Sequence, residues 1–255
     1  MPYLDAEAAA LQRVFAIADE DLPDAAVLVG QWDQGSYFEG VRRTWPDVRE
    51  IEGHSILINE GGPRIWISVV FGGAMAATMA HLAVKLCART VVQVGSIGGL
   101  TDSGQVGDVL VPGLVVGRDG VSRQLSRNRT VVPDEALSAA LREELDARLD
   151  GGSVRSGTVV STTTISLERQ IDVARWRRAG YAGVEMECAA TVGTASYFGA
   201  ASAAAFVLMD NLARRHTVFV LSDEDRRRIR AGKDAILQAA VAVIVRTFSQ
   251  DSREP

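Results

Sequence analysis

Short runs of β-branched and aliphatic residues, bounded by glycine and nearly free of charge, alternate along this chain with longer stretches of helical periodicity. That alternation points to an α/β fold, because runs without a polar face must be covered by helices on both sides. Strands are expected at 26–30, 55–59, 65–71, 90–95, 109–116, 159–162 and 203–209, and helices at 4–18, 74–88, 134–149, 168–178, 184–198 and 224–247. Asp134 and Asp223 stand where N-caps belong. The pattern predicts a central mixed β-sheet flanked by helices. No internal repeat, low-complexity tract or Pro- or Ser-rich linker divides the 255 residues, which read as a single domain with a frayed tail at 249–255.

Composition narrows the function classes. With 47% hydrophobic and 23% charged residues the chain lies in the globular range, and 27 basic against 32 acidic side chains give a net charge of -5. That is the wrong sign for a protein living on nucleic acid or an anionic membrane. The most apolar stretch, 200–209, is ended by Asp210 after about ten residues, half of what a bilayer crossing needs. The start has no basic region followed by an apolar one, so a cytoplasmic location is expected. Cys87 and Cys188 have no second Cys or His at metal spacing and read as buried free thiols; no metal and no cofactor is called for.

Three features stand at the ends of predicted elements. The strand 90–95 runs into Gly95-Ser96-Ile97-Gly98-Gly99, read either as a tight strand-to-loop turn or as a place where backbone amides approach a ligand. Glu185 and Glu187 flank Met186 at the start of a small-residue helix, where successive positions differ by about 100°, so one carboxylate must turn inward. Such a carboxylate either complements the helix dipole or accepts bonds from a vicinal diol. Asp210 ends a strand of apolar residues, where desolvation would raise its pKa toward that of a general acid; alternatively it caps a turn, a task Asn211 could share.

Together these residues resemble the nucleoside phosphorylase family, which includes hexameric purine nucleoside phosphorylases, uridine phosphorylases and the methylthioadenosine/S-adenosylhomocysteine nucleosidases. Val94-Gly95-Ser96-Ile97-Gly98-Gly99 is similar to the family's glycine loop, Gly107-Asp108-Val109-Leu110-Val111-Pro112 to its G-D-V-x-x-P strand, and Val184-Glu185-Met186-Glu187-x-Ala189-Ala190 to its V-E-M-E-x-A-A helix. Asp210 follows Glu187 at the family's spacing of 23 residues, and Asp119-Gly120-Val121-Ser122 resembles an acidic-Gly-x-Ser loop of some members. The resemblance implies a nucleoside phosphorylase-like fold, a small-molecule nucleoside as substrate, no cofactor, and a homo-oligomer, dimer or hexamer. It assigns the ribose hydroxyls to Glu187 with Met186 packing on the sugar, protonation of a purine-like base to Asp210, the nucleophile or a sugar hydroxyl to Ser96 with Gly95, and the base pocket to Thr163, Ile165 and Glu185.

Departures from the family pattern concern the nucleophile. Where phosphorolytic relatives carry arginines, this chain has Gly30-Gln31-Trp32-Asp33-Gln34, a residue near Glu52, and Gln93 ahead of Gly95-Ser96. Neutral groups forfeit charge-assisted bonds that are about twice as strong. Hydrolysis is therefore the expectation, with Asp33 substituting for the nucleosidases' early glutamate as base. The alternatives are phosphorolysis with a relocated arginine, Arg42, Arg43 or Arg49, and a non-catalytic nucleoside binder. His81 reads as structural, His54 is undecided, and His216, six residues after Asp210, is placed to meet a 5′ substituent.

Overall fold

A computed structural model of the chain describes residues 5–51, 55–59, 61–125, 129–149 and 152–251. Glu52 and His54 lie outside the described residues. The strands are β1 (Ala25–Gly30), β2 (Val48–Ile51), β3 (Ser55–Asn59), β4 (Arg64–Val70), β5 (Thr90–Gly99), β6 (Val109–Gly117), β7 (Thr130–Val131), β8 (Val154–Ser161), β9 (Gly183–Glu185) and β10 (Ala201–Asn211). The helices are α1 (Ala8–Val14), α2 (Gln34–Thr44), α3 (Gly73–Lys85), α4 (Ser122–Leu125), α5 (Glu135–Arg148), α6 (Gln170–Arg178), α7 (Cys188–Tyr197) and α8 (Asp223–Asp251). The expected α/β architecture with a mixed sheet is present.

The sheet runs β2-β3-β4-β1-β5 from one edge and then divides. Thr90–Gly95 of β5 pairs with β1, in parallel and in register from Ala25↔Thr90 to Gly30↔Gly95. Beyond that, Gly98 and Gly99 pair antiparallel with Val184 and Gly183 of β9. The other margin of β5 carries β10 along nearly its whole length. From β10 the pairing continues through β6 and β8 to β9 and so back to β5, closing five strands into a ring. Ser96 and Ile97 therefore sit where the sheet forks. A fork of this kind is a topological switch point, the place where α/β sheets open a crevice.

Alternation along the strands sorts the core. Val27 and Val29 of β1, Val92 and Val94 of β5, and Ala203 and Ala205 of β10 face α2, α5 and α8. Ala26, Leu28, Trp66 and Val91 face α1, α3 and α7. Inside the ring, Ile97, Leu110, Val159 and Phe206 pack with Cys188 and Val192 of α7, and Val173 and Trp176 of α6 cover Leu100, Val160 and Val184. Burying a side chain of this kind contributes about 1.5–3 kcal/mol against its exposed state.

Several local expectations are corrected. The glycine segment 95–99 is no turn, because β10 and β9 brace it as strand. The segment from Val184 begins as β9, not as a helix. Asp134 caps α5 through Leu137 N at 2.8 Å, but α8 is capped by Ser222, whose hydroxyl accepts from Asp225 N while Asp225 accepts from Ser222 N in return. Cys188 is buried, whereas Cys87 is exposed. Residues 249–251 continue α8. Among the described residues no helix is long and apolar enough to cross a membrane.

Candidate active site

β9 runs antiparallel to β5, so each step forward from Val184 is a step back alongside Ile97 and Ser96. This geometry delivers Glu187 to the end of β1. There its Oε1 accepts from Gly72 N at 2.6 Å, and its Oε2 stands so near β1 that a Cβ on Gly30 would lie 3.0 Å away. Glu187 is buried, and burial lifts its pKa to about 7 against the pull of the Gly72 and Met186 amides. Met186 is buried beside it. One carboxylate thus joins the start of α3 to the approach to α7, close beside the end of β1.

Glu185 behaves differently from its expected place in the base pocket. Its Oε1 takes the Ser161 hydroxyl, and its Oε2 accepts from Glu187 N at 2.7 Å and Cys188 N at 2.6 Å. Ser161 in turn accepts from Ala189 N at 2.9 Å. Glu185 and Ser161 together satisfy the free amides at the start of α7, an interior capping role. Burial and the neighbouring Glu187 push its pKa up, and these three donors oppose the rise.

Asp210 lies next to Gly98 across the β10–β5 pair, just after an irregularity in the register. The capping task falls to Asn211, whose Oδ1 accepts from Arg214 N at 3.2 Å and whose Nδ2 donates to Thr101 and Gly104 carbonyls. Asp210 is left half-buried and in no ion pair among the described residues. Burial raises its pKa from 3.8 to about 6, while the Val218 amide and His216 pull it down. Glu168, unremarked in the sequence, is its neighbour: half-buried, with a pKa of about 7 from burial first and then from the charges of Asp210 and Asp172. The Asp210 charge helps hold the proton on Glu168.

The remaining candidates divide. Gly95 packs against the Gly30 backbone, and the Ser96 hydroxyl is buried with no partner among the described residues. Gln93 is fully buried and occupied, accepting from Thr191 Oγ1 at 2.6 Å and donating to the Val94 carbonyl at 3.1 Å. Thr163 and Ile165 follow β8 on an exposed turn, Ile165 62% exposed. Asp33 is no buried base: it is exposed, caps α2 through Ser36 N at 3.2 Å, and that bond lowers its pKa. His216 turns to Asp225, with Nε2 at 3.4 Å from its Oδ2, and lines a separate cavity of about 180 Å³ beside Arg214 and Arg228. Arg42 and Arg49 are paired with Glu50, and with Glu20 and Asp21, respectively. His81 is buried against the Phe198 ring at 4.8 Å. Among the described residues no cluster fit to hold a metal occurs.

The family model of the phosphorylase superfamily matches residues 36–244, most of the chain. The chain belongs to the phosphorylase superfamily. Solved structures with the same fold include uridine phosphorylase from Vibrio fischeri, with a TM-score of 0.75 and 18% identity, covering 91% of this chain and 94% of that one. Purine nucleoside phosphorylase from Toxoplasma gondii in complex with immucillin-H gives a TM-score of 0.77 at 16% identity, with coverage of 92% and 95%. At such identities the superfamily fold is shared while the side chains of the crevice must be read from this chain itself.

Proposed function

We propose that this chain cleaves the N-glycosidic bond of a nucleoside. Asp210 donates its proton to the departing base as the C1′–N bond breaks and its electron pair passes to the base. Glu187, with Met186 against the sugar, accepts from the ribose hydroxyls. One observation carries this reading: a half-buried carboxyl at the tip of an apolar strand, relieved of capping by Asn211, where desolvation favours its protonated form. General-acid assistance of this kind contributes about 10²–10⁴ in rate. The superfamily match and neighbours named as uridine and purine nucleoside phosphorylases support the reaction class. Thr163 and Ile165, on the turn leading to Glu168, are the residues we assign to the base.

Two nucleophiles are compatible with this acid. Water is favoured by Gln93, which replaces a cation and is consumed by Thr191. Phosphate is favoured by the names of the structural neighbours, both phosphorylases. Exposed Trp32, edge-to-face with Phe71 at 5.7 Å, and Phe219, 90% exposed, support a homo-oligomer covering this end of the sheet.

The test is a panel of purine and pyrimidine ribonucleosides assayed for base release with and without phosphate, the sugar product being identified as free ribose or its 1-phosphate. Asp210→Asn should lower base release by about 10²–10⁴ while nucleoside binding persists. Release that is indifferent to this change would overturn the assignment.

A further inference from the structure

Parallel strands have two ends, and the crevice uses only one of them. β1 and β5 start level at Ala25↔Thr90 and finish level at Gly30↔Gly95, so their amino ends lie about 17 Å from the carboxyl ends that Glu187 and Ser96 adjoin. A second cavity opens at those amino ends. Its volume is about 390 Å³, within the range of small-molecule sites, whereas the cavity of about 180 Å³ beside His216 falls below it. Asp24 and Thr90 at the strand starts, Cys87 and Arg89 between α3 and β5, and Ile244 and Phe248 near the end of α8 line it.

The charges around this cavity do not cancel. Asp24 is committed to Arg64: its Oδ2 accepts from Arg64 N at 2.8 Å and Nε at 3.1 Å, and its Oδ1 accepts from Nη2 at 3.1 Å. The Arg89 side chain, by contrast, makes no hydrogen bond or ion pair among the described residues. Its backbone is fixed on both sides, the N–H donating to the Asp24 carbonyl and the carbonyl accepting from Ala201 N, each at 3.0 Å, so the guanidinium is rooted between β1 and β10. Thr90, next in the chain, is buried, and its hydroxyl has no hydrogen-bond partner among the described residues. Facing these polar groups, Ile244 is buried and Phe248 is 37% exposed. A guanidinium presents paired donors that match a carboxylate, and an aromatic side chain takes an apolar body. The lining therefore fits a ligand that is anionic at one end and apolar at the other.

We propose that the cavity at the amino ends of β1 and β5 is a second ligand site, taking a small aromatic carboxylate whose charged end pairs with Arg89 and the Thr90 hydroxyl and whose ring packs on Phe248 and Ile244. The occupant supplies the counter-charge that Asp24, held by Arg64, does not. Asp210 and Glu187 stand at the opposite ends of the same strands, so the site is filled without entering the crevice. It stands or falls independently of nucleoside cleavage, since no step of that reaction passes through it.

The test is calorimetric titration and thermal unfolding of the full chain with 3-phenylpropionate, set against 3-phenylpropionamide, which keeps the shape without the charge, and acetate, which keeps the charge without the ring. 3-Phenylpropionate should bind wild type and raise its Tm, with the amide and acetate each at least about 10-fold weaker. Arg89→Met should bind it about 10- to 100-fold more weakly. Phe248→Ala provides a second variant, which leaves the guanidinium in place and should also bind more weakly. Because Cys188 is buried and Cys87 exposed, alkylation by iodoacetamide reads Cys87, and 3-phenylpropionate should slow it in wild type but not in Arg89→Met. Asp210→Asn should bind the probe as wild type does. No binding to wild type, equal binding of the amide, binding unchanged in Arg89→Met or an unprotected Cys87 would overturn the site. So would loss of binding in Asp210→Asn, which would move the probe to the crevice.

Discussion

Replacing Asp210 by asparagine should stabilise the protein at neutral and alkaline pH even as it removes the reaction's acid. In the folded chain the carboxyl keeps its proton up to about pH 6, against an ordinary value of 3.8. Between those values the folded state binds more proton than the unfolded state, so stability falls as pH rises through that window and levels off above it. The full difference, about two pH units at 1.36 kcal/mol each, is about 3 kcal/mol, and partial exposure with screening by water reduces it to about 1–2 kcal/mol. Asparagine does not titrate. Urea unfolding of wild type and Asp210→Asn at a series of pH values should therefore show the variant gaining on wild type with rising pH, with about two-thirds of the effect accumulating between pH 4.5 and 8. Base release by wild type should fall over the same region, since the Asp210 proton is lost as pH rises through about 6. A stability difference that is flat with pH, or that favours wild type at pH 8, would show that the carboxyl is not desolvated and refute the argument for its role.

Other changes separate scaffold from chemistry. Glu185→Ala strands two buried amides and the Ser161 hydroxyl, and should cost about 2–4 kcal/mol in urea unfolding. Thr191→Val leaves the fully buried Gln93 Oε1 without its donor and should cost about 1–3 kcal/mol in urea unfolding. Asp33→Ala removes an exposed helix cap and should leave kcat unchanged; a collapse of base release would restore Asp33 as a base.

What the sequence disclosed follows from which residues speak for themselves. Unbroken apolar runs such as 26–30 and 203–209 announce buried strands because they are short and are ended by Gly30 and Asp210. The three-residue β9 was hidden because its last residue is a glutamate, and α2 because Gly35, Ser36 and Gly40 weaken its helical pattern. Glycine is a poor strand former, so 95–99 reads as a turn until β9 and β10 are in place to hold it extended. Within the crevice, the spacing from Glu187 to Asp210 was visible, but the capping work of Glu185 was not, since it depends on Ser161 from another strand. Glu168 looks like an ordinary first-turn acid. Only the packing of the turn before α6 near Asp210 gives it its meaning.

The closure of β5, β10, β6, β8 and β9 upon themselves has a bearing on how copies of this chain can meet. A rim consumed by its own pairing offers no template to a neighbour's backbone. Outside the ring, one margin of β2 and of the two-residue β7 is unpaired, and on β2 the side chains of Arg49 and Glu50 project exposed charge. Strand addition at β2 is thereby discouraged by charge, while the ring strands are held by one another rather than by any partner.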